Sequence, residues 1–220
     1  MLKTIHRALV LFVAVFLTPS VLLAGPIVIN FEDNGLTDGV AVSDFYSFSH
    51  GLTFDNATVL TAGFSLNEEN YPPHSGDNVV TSGVFVDGED GKLWIAGDFI
   101  GIAFATPVFG FAGYFTYSAK VTVTAFDSSD NPLGSVTSQC SENWVGVVPK
   151  CGWPNEGLAL LVDSGGISSV MIVGSEEGSS FALDDVTYWD EPVPVPEPGT
   201  LSLLALGVFG ACRRRFVRRG

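Results

Sequence analysis

Between residues 27 and 189 the chain shows almost no helical periodicity and breaks instead into short runs of β-branched and aromatic residues separated by Gly, Asp, Asn and Ser. In Val121-Thr122-Val123-Thr124-Ala125 apolar and polar residues alternate. A half-buried strand gives that period, because successive side chains point to opposite faces. Asp127-Ser128-Ser129-Asp130-Asn131-Pro132 then reads as a turn into a strand over 133–137, which makes a hairpin. Further strands are expected over 27–32, 52–54, 79–86, 99–104, 109–115, 158–162, 170–173 and 181–189. Nine or ten strands at this spacing predict an all-β fold, a jelly-roll-like β-sandwich over residues 25–190.

The two ends are of another kind. The chain has 220 residues, of which 46% are hydrophobic and only 15% charged, but the apolar excess sits at the termini. Lys3 and Arg7 precede an apolar run over 8–17 that is too short to span a bilayer comfortably, and small residues follow up to Ala24. Residues 1–24 therefore read as a signal peptide. At the other end, residues 191–198 form a Pro-rich linker, residues 199–212 an apolar segment read as a short transmembrane helix, and residues 213–220 a tail with five arginines. The prolines keep the linker extended, and the arginines hold the tail on the cytoplasmic side, which orients the domain outward.

Pro196, Glu197 and Pro198 abut the apolar segment, and Arg213, Arg214, Arg215, Arg218 and Arg219 follow it. This order closely resembles the PEP-CTERM sorting signal, over roughly the last 26 residues. The resemblance implies recognition by an exosortase, a membrane transpeptidase-like enzyme of Gram-negative bacteria that make exopolysaccharide. It also implies a precursor held in the inner membrane by its C-terminal helix and a mature form at the cell surface or outside the cell.

Between residues 25 and 196 stand 23 carboxylates against three lysines, Lys92, Lys120 and Lys150, a formal charge of −20. Nucleic acid and anionic membrane surfaces are poor partners for such a domain, whose mean field repels phosphates. Divalent cations and neutral polysaccharides remain allowed. Cys140 and Cys151 are the two cysteines of this region, and an oxidising compartment lets them pair around a short loop that holds Trp144.

Residues 100–137 and 167–189 look like the jelly-roll domains common among exported bacterial proteins, including galactose-binding-like carbohydrate modules. The first stretch carries Pro107-Val108, Phe109-Gly110 and the hairpin, and the second ends in Ala182-Leu183-Asp184-Asp185-Val186. In such modules a structural calcium joins the terminal strands. The resemblance thus implies a Ca2+ site here from Glu32 with Asp184 or Asp185, completed by carbonyls and by Asn34 or Asp38. Adjacent Asp184 and Asp185 point to opposite faces of a regular strand unless a bulge intervenes. Trp144 and Trp153, followed by Tyr71, are the aromatics expected to stack on sugar rings.

Enzyme constellations are missing from the sequence. There is no HExxH, nucleophile elbow, Walker loop or dinucleotide fingerprint, and His50 and His74 read as turn or surface residues. The expected function is a non-catalytic exported module that associates with exopolysaccharide or another glycan. A structural or adhesive matrix protein without a glycan ligand and a cryptic glycoside hydrolase are the alternatives. The terminal signals predict that mature protein from the native host begins near Gly25 and ends close to Pro198. Mass spectrometry of both ends checks this, and an intact Arg-rich tail in a host with an exosortase contradicts it.

Overall fold

The computed structural model describes residues 25–191 except 89, 90, 148–150, 163–165 and 176–179. The signal peptide, most of the linker and the sorting segment lie outside the described residues. Among the described residues twelve strands and one short helix are formed: β1 Ile27–Ile29, α1 Ser47–His50, β2 Leu52–Asp55, β3 Ala57–Thr61, β4 Asn78–Gly88, β5 Gly91–Ala96, β6 Phe99–Val108, β7 Gly110–Tyr117, β8 Thr122–Phe126, β9 Pro132–Thr137, β10 Glu156–Leu161, β11 Ile167–Val173 and β12 Phe181–Trp189. They make two antiparallel sheets. One has the order β10-β7-β12-β4-β3, with β1 added to β12 and β5 to β4, and the other the order β2-β6-β11-β8-β9.

Alternation decides which residues meet between the sheets. On β8, Val123 and Ala125 are fully buried while Thr122 and Thr124 stay half-exposed. On β6, Ile100, Ile102 and Phe104 point inward, and on β7 Phe111, Phe115 and Tyr117 do so. These residues, with Leu183 and Val186 of β12 and Ile172 of β11, form one continuous core. In such a sandwich interior the side chains of the two facing sheets interdigitate in a layer about 10 Å thick.

The hairpin read from the alternation is present as β8 and β9. Its turn is closed by Asp127, whose Oδ1 accepts the backbone N–H of Ser129 at 2.8 Å and of Asn131 at 2.9 Å. The first strand is shorter than the expected 27–32 because Phe31 adopts φ 62, a left-handed conformation that ends the extended run. That turn drives the Phe31 ring into the core against Tyr46 and Phe54, at centroid distances of 6.2 and 5.9 Å. Strands β3 and β5 were not expected, and the Pro107-Val108 step falls inside β6.

The cysteines pair as expected, with Cα atoms 5.7 Å apart. Their loop is pinned to the end of β7 by the buried Asn143. Its Oδ1 accepts the Tyr117 N–H at 2.7 Å, and its Nδ2 donates to the carbonyls of Phe115 at 2.9 Å and Trp153 at 3.0 Å. The bonds to Tyr117 and Phe115 satisfy buried backbone groups that would otherwise be costly. Replacing both cysteines with Ala is expected to lower the unfolding free energy by about 2 to 3 kcal/mol, by releasing the unfolded chain from loop closure. A urea-denaturation midpoint that does not move would show that Asn143 alone holds the loop.

Candidate functional site

The outward faces of the two sheets are treated differently. On the seven-stranded sheet, Val79 of β4 and Ala182 of β12 form a second small apolar cluster with Leu66, packed against Leu60, Ala62 and Tyr71. Residues 62–77 thus lie across that face as a cover. At the far end of the cover, the His74 ring stacks on Tyr114 of β7 at a centroid distance of 3.5 Å and an interplanar angle of 7°.

The carboxylates expected to bind calcium hold this cover in place. The pairing of β12 with β7 shifts register between Asp184 and Thr187, and Asp185 adopts φ 47. This bulge supplies an extra outward residue, so both aspartates turn to the same side. Asp184 Oδ2 accepts the backbone N–H groups of His74 at 2.7 Å and Ser75 at 2.8 Å, and its Oδ1 accepts that of Asp185. Asp185 accepts from His74 Nδ1 at 2.5 Å and from Ser75 Oγ at 2.7 Å. Glu32 Oε1 accepts the N–H groups of Asp77 at 2.9 Å and Asn78 at 2.7 Å. Calcium takes six to eight oxygens, whereas these carboxylates face N–H and O–H donors. Among the described residues no group of three or more His, Cys, Asp or Glu side chains is gathered for an ion. The three residues fit a loop clamp better than they fit an ion.

His74 is therefore held by a carboxylate on one side and an aromatic face on the other. His50 is exposed at the last residue of α1, with Nδ1 2.8 Å from Ser49 Oγ. Burial raises the Asp184 carboxyl to about 6, with the neighbouring Asp185 charge adding to the rise and the Ser75 N–H opposing it.

The three aromatics expected to bind sugar are placed near the disulfide, but not alike. Tyr71 and Trp144 are half-buried and parallel to each other, with centroids 6.5 Å apart at 9°, and Trp144 Nε1 donates to Glu142. Trp153 is 76% exposed. It stands beside a pocket of about 270 Å³ lined by Cys140, Cys151, Asn155 and Glu156. The Glu156 carboxylate there accepts from Tyr117 Oη, and burial together with that carboxylate pushes the phenol up to about 12.

The five-stranded sheet has an open outward face, crossed by a groove of about 360 Å³. Its floor is two cross-strand rows set by the register. Thr53, Ala103, Ser169 and Phe126 form one, and Asp55, Gly101 and Met171 the other. Small residues occupy the middle, so the floor dips between Phe126 at one end and Phe99 and Asp55 at the other. A Cβ on Gly101 would stand 3.3 Å from Asp55 Cβ and 3.5 Å from the Phe99 ring, so the glycine keeps the two walls close. None of these residues was singled out in the sequence. The signal that could have found them is parity on β6, because Ile100, Ile102 and Phe104 inward place Phe99, Gly101 and Ala103 outward.

Residues 194–219 match the PEP-CTERM protein-sorting motif, which marks the chain as an exported protein. No curated protein matches it in sequence. Among solved structures it is similar to a family 29 carbohydrate-binding module, with 12% identity, a TM-score of 0.40, and 80% of this chain and 100% of that one covered. It is also similar to a DUF4465 family protein from Bacteroides caccae, with 12% identity, a TM-score of 0.42, and coverage of 76% and 100%. A third is the K1 cleaved adhesin domain of Lys-gingipain from Porphyromonas gingivalis, with 14% identity, a TM-score of 0.40, and coverage of 78% and 100%.

The buried Asp184 makes stability depend on pH. Its folded pKa of about 6 lies above the ordinary 3.8, so the ionised form weakens the fold, and the domain gains stability as pH falls from about 7 through 6. Asp184→Asn keeps an acceptor for the His74 and Ser75 N–H groups and removes the charge. The wild-type melting temperature is expected to rise more on acidification to about pH 5 than that of the variant. Equal rises in thermal melts at both pH values would show that Asp184 carries no such dependence.

Proposed function

We propose that this protein is a non-catalytic, exported module that associates with polysaccharide through the groove on its five-stranded sheet. One observation carries the reading. The outward face of the seven-stranded sheet is closed by the clamped segment, whereas that of the five-stranded sheet is open and holds a groove of about 360 Å³. That volume is within the usual range for ligand sites, roughly 300 to 1,000 Å³. The lining suits a sugar. Phe99, Phe126 and Met171 offer apolar surface to the C–H face of a pyranose, and Thr53, Ser169, Asp55 and Asp130 offer partners to its hydroxyls. The five strands give a face about 19 Å across, at about 4.8 Å per spacing, open at both ends to an extended chain.

The setting supports binding more than hydrolysis. A glycosidase needs one carboxylic acid desolvated enough to stay protonated, and Asp55 and Asp130 both stand in solvent. The matched sorting motif supports an extracellular polymer as the partner, and exopolysaccharide is the proposed ligand. Trp153 beside the disulfide is a second, peripheral contact in this reading.

Ala103 is exposed at the middle of the floor, paired with Thr53 and Ser169. Ala103→Trp is expected to fill the groove and weaken binding to exopolysaccharide from the native host more than ten-fold in affinity electrophoresis, with the melting temperature unchanged. Trp153→Ala is expected to weaken it only a few-fold. Full binding by a folded Ala103→Trp protein contradicts the assignment of the groove. Polymer release of reducing sugar by the wild type contradicts the non-catalytic reading.

A further inference from the structure

Within that reading of the groove as a glycan site, on which this inference rests, we propose that its ligand is a glycan carrying protonated amino groups, such as a de-N-acetylated glucosamine polymer. The charges lining the groove are Asp55 and Asp130, and no Lys, Arg or His contributes to it. They stand at its two ends. Asp55 belongs to the edge strand β2, and Asp130 to the turn between β8 and β9, with β6 and β11 between them. Three strand spacings put roughly 14 Å between these elements.

Both carboxylates are uncommitted. Several acidic side chains serve the fold: Glu32, Asp184 and Asp185 clamp the cover, Asp127 closes its turn, Asp33 accepts from Tyr46 Oη, and Asp38 accepts the Thr61 N–H. Asp55 and Asp130 make no side-chain hydrogen bond and no ion pair among the described residues, where the one ion pair is His74 with Asp185. Asp130 is held outward by a left-handed backbone, φ 60, in the turn that Asp127 organises. An ammonium group on the ligand would give each carboxylate a charge-assisted hydrogen bond.

Charge complementarity selects the same occupant over the long range. A domain of formal charge −20 between residues 25 and 196 attracts a polycation and repels uronic-acid or sulfated chains. Apolar contact with Phe99, Phe126 and Met171 and hydroxyl contacts are shared by all hexose polymers. The amine is the group that separates this ligand from its acetylated counterpart.

The test measures binding of the purified domain to glucosamine hexamer, N-acetylglucosamine hexamer, a neutral glucan oligomer, an oligoguluronate and hexalysine at about pH 6, where the ligand amines are protonated. The expected result is preference for glucosamine hexamer over its acetylated form by about five-fold at low salt, since exposed charge pairs contribute modestly. The preference should shrink at about 1 M salt, where the Debye length is about 3 Å. Asp55→Asn with Asp130→Asn should abolish it, bringing glucosamine hexamer and its acetylated form to equal affinity. Asn tolerates the left-handed turn at residue 130, and an unchanged melting curve confirms that the variant folds. Equal binding of the acetylated and free-amine hexamers overturns the inference but leaves the groove as a glycan site, as does binding of neutral glucan alone. Hexalysine binding as well as glucosamine hexamer overturns it in favour of a basic peptide. Binding of oligoguluronate in preference also overturns it. Binding of no oligosaccharide, with the host polymer also unbound, defeats the glycan reading itself.

Discussion

The two hydrogen bonds from the His74 and Ser75 backbone to the buried carboxylate of Asp184 determine which face of this sandwich is closed. They exist because a bulge in β12 turns Asp184 and Asp185 to the same side, and because the chain spends a desolvated charge to hold a loop. With Glu32, which follows β1, fastened to the N–H groups of Asp77 and Asn78, residues 62–77 are tied down near both ends of the domain's chain. The cover then buries Leu66 and Tyr71 against Val79 and Ala182. Without it, the outward face of the seven-stranded sheet would present an apolar patch of the kind that marks interaction surfaces.

The opposite face needs no cover, because its outward row is built from residues that tolerate water. Thr53, Ala103 and Ser169 are small or polar, while Leu52, Ile102 and Val170 beside them along the strands are core residues. Placing Gly101 and Ala103 at the centre and Phe99 and Phe126 at the margins turns a flat sheet into a groove. The same alternation that builds the core therefore builds the candidate site.

Much of the architecture was legible in the sequence, and the reasons are specific. Val121 to Ala125 alternates cleanly because β8 has one wet and one dry face, and Asp127 announces its turn by standing two and four residues before its donors, the N–H groups of Ser129 and Asn131. Strand β3 was hidden because Ala57, Thr58 and Val59 are all buried, with core on one side and neighbouring backbone on the other, so no alternation shows. The end of β1 was misjudged because nothing local announces that Phe31 takes a left-handed conformation; the core demands it. The carboxylates at Glu32, Asp184 and Asp185 were read as ligands of an ion, whereas in the structure Glu32 and Asp184 accept backbone N–H groups, which carry no sequence signature, and Asp185 accepts from the His74 and Ser75 side chains. The groove aromatics were missed for a related reason. Phe99 and Phe126 resemble core residues until strand parity assigns them outward.

The account turns on the groove of the five-stranded sheet being where a glycan sits. The most direct measurement is an amide chemical-shift map of the isotopically labelled domain titrated with fragments of the host polysaccharide. The account predicts that the largest perturbations fall on β2, β6, β11 and β8, centred on Thr53, Gly101, Ala103 and Met171, with the clamped segment 62–77 unmoved. Perturbations confined to the disulfide loop and residues 152–157, with the groove silent, would contradict it.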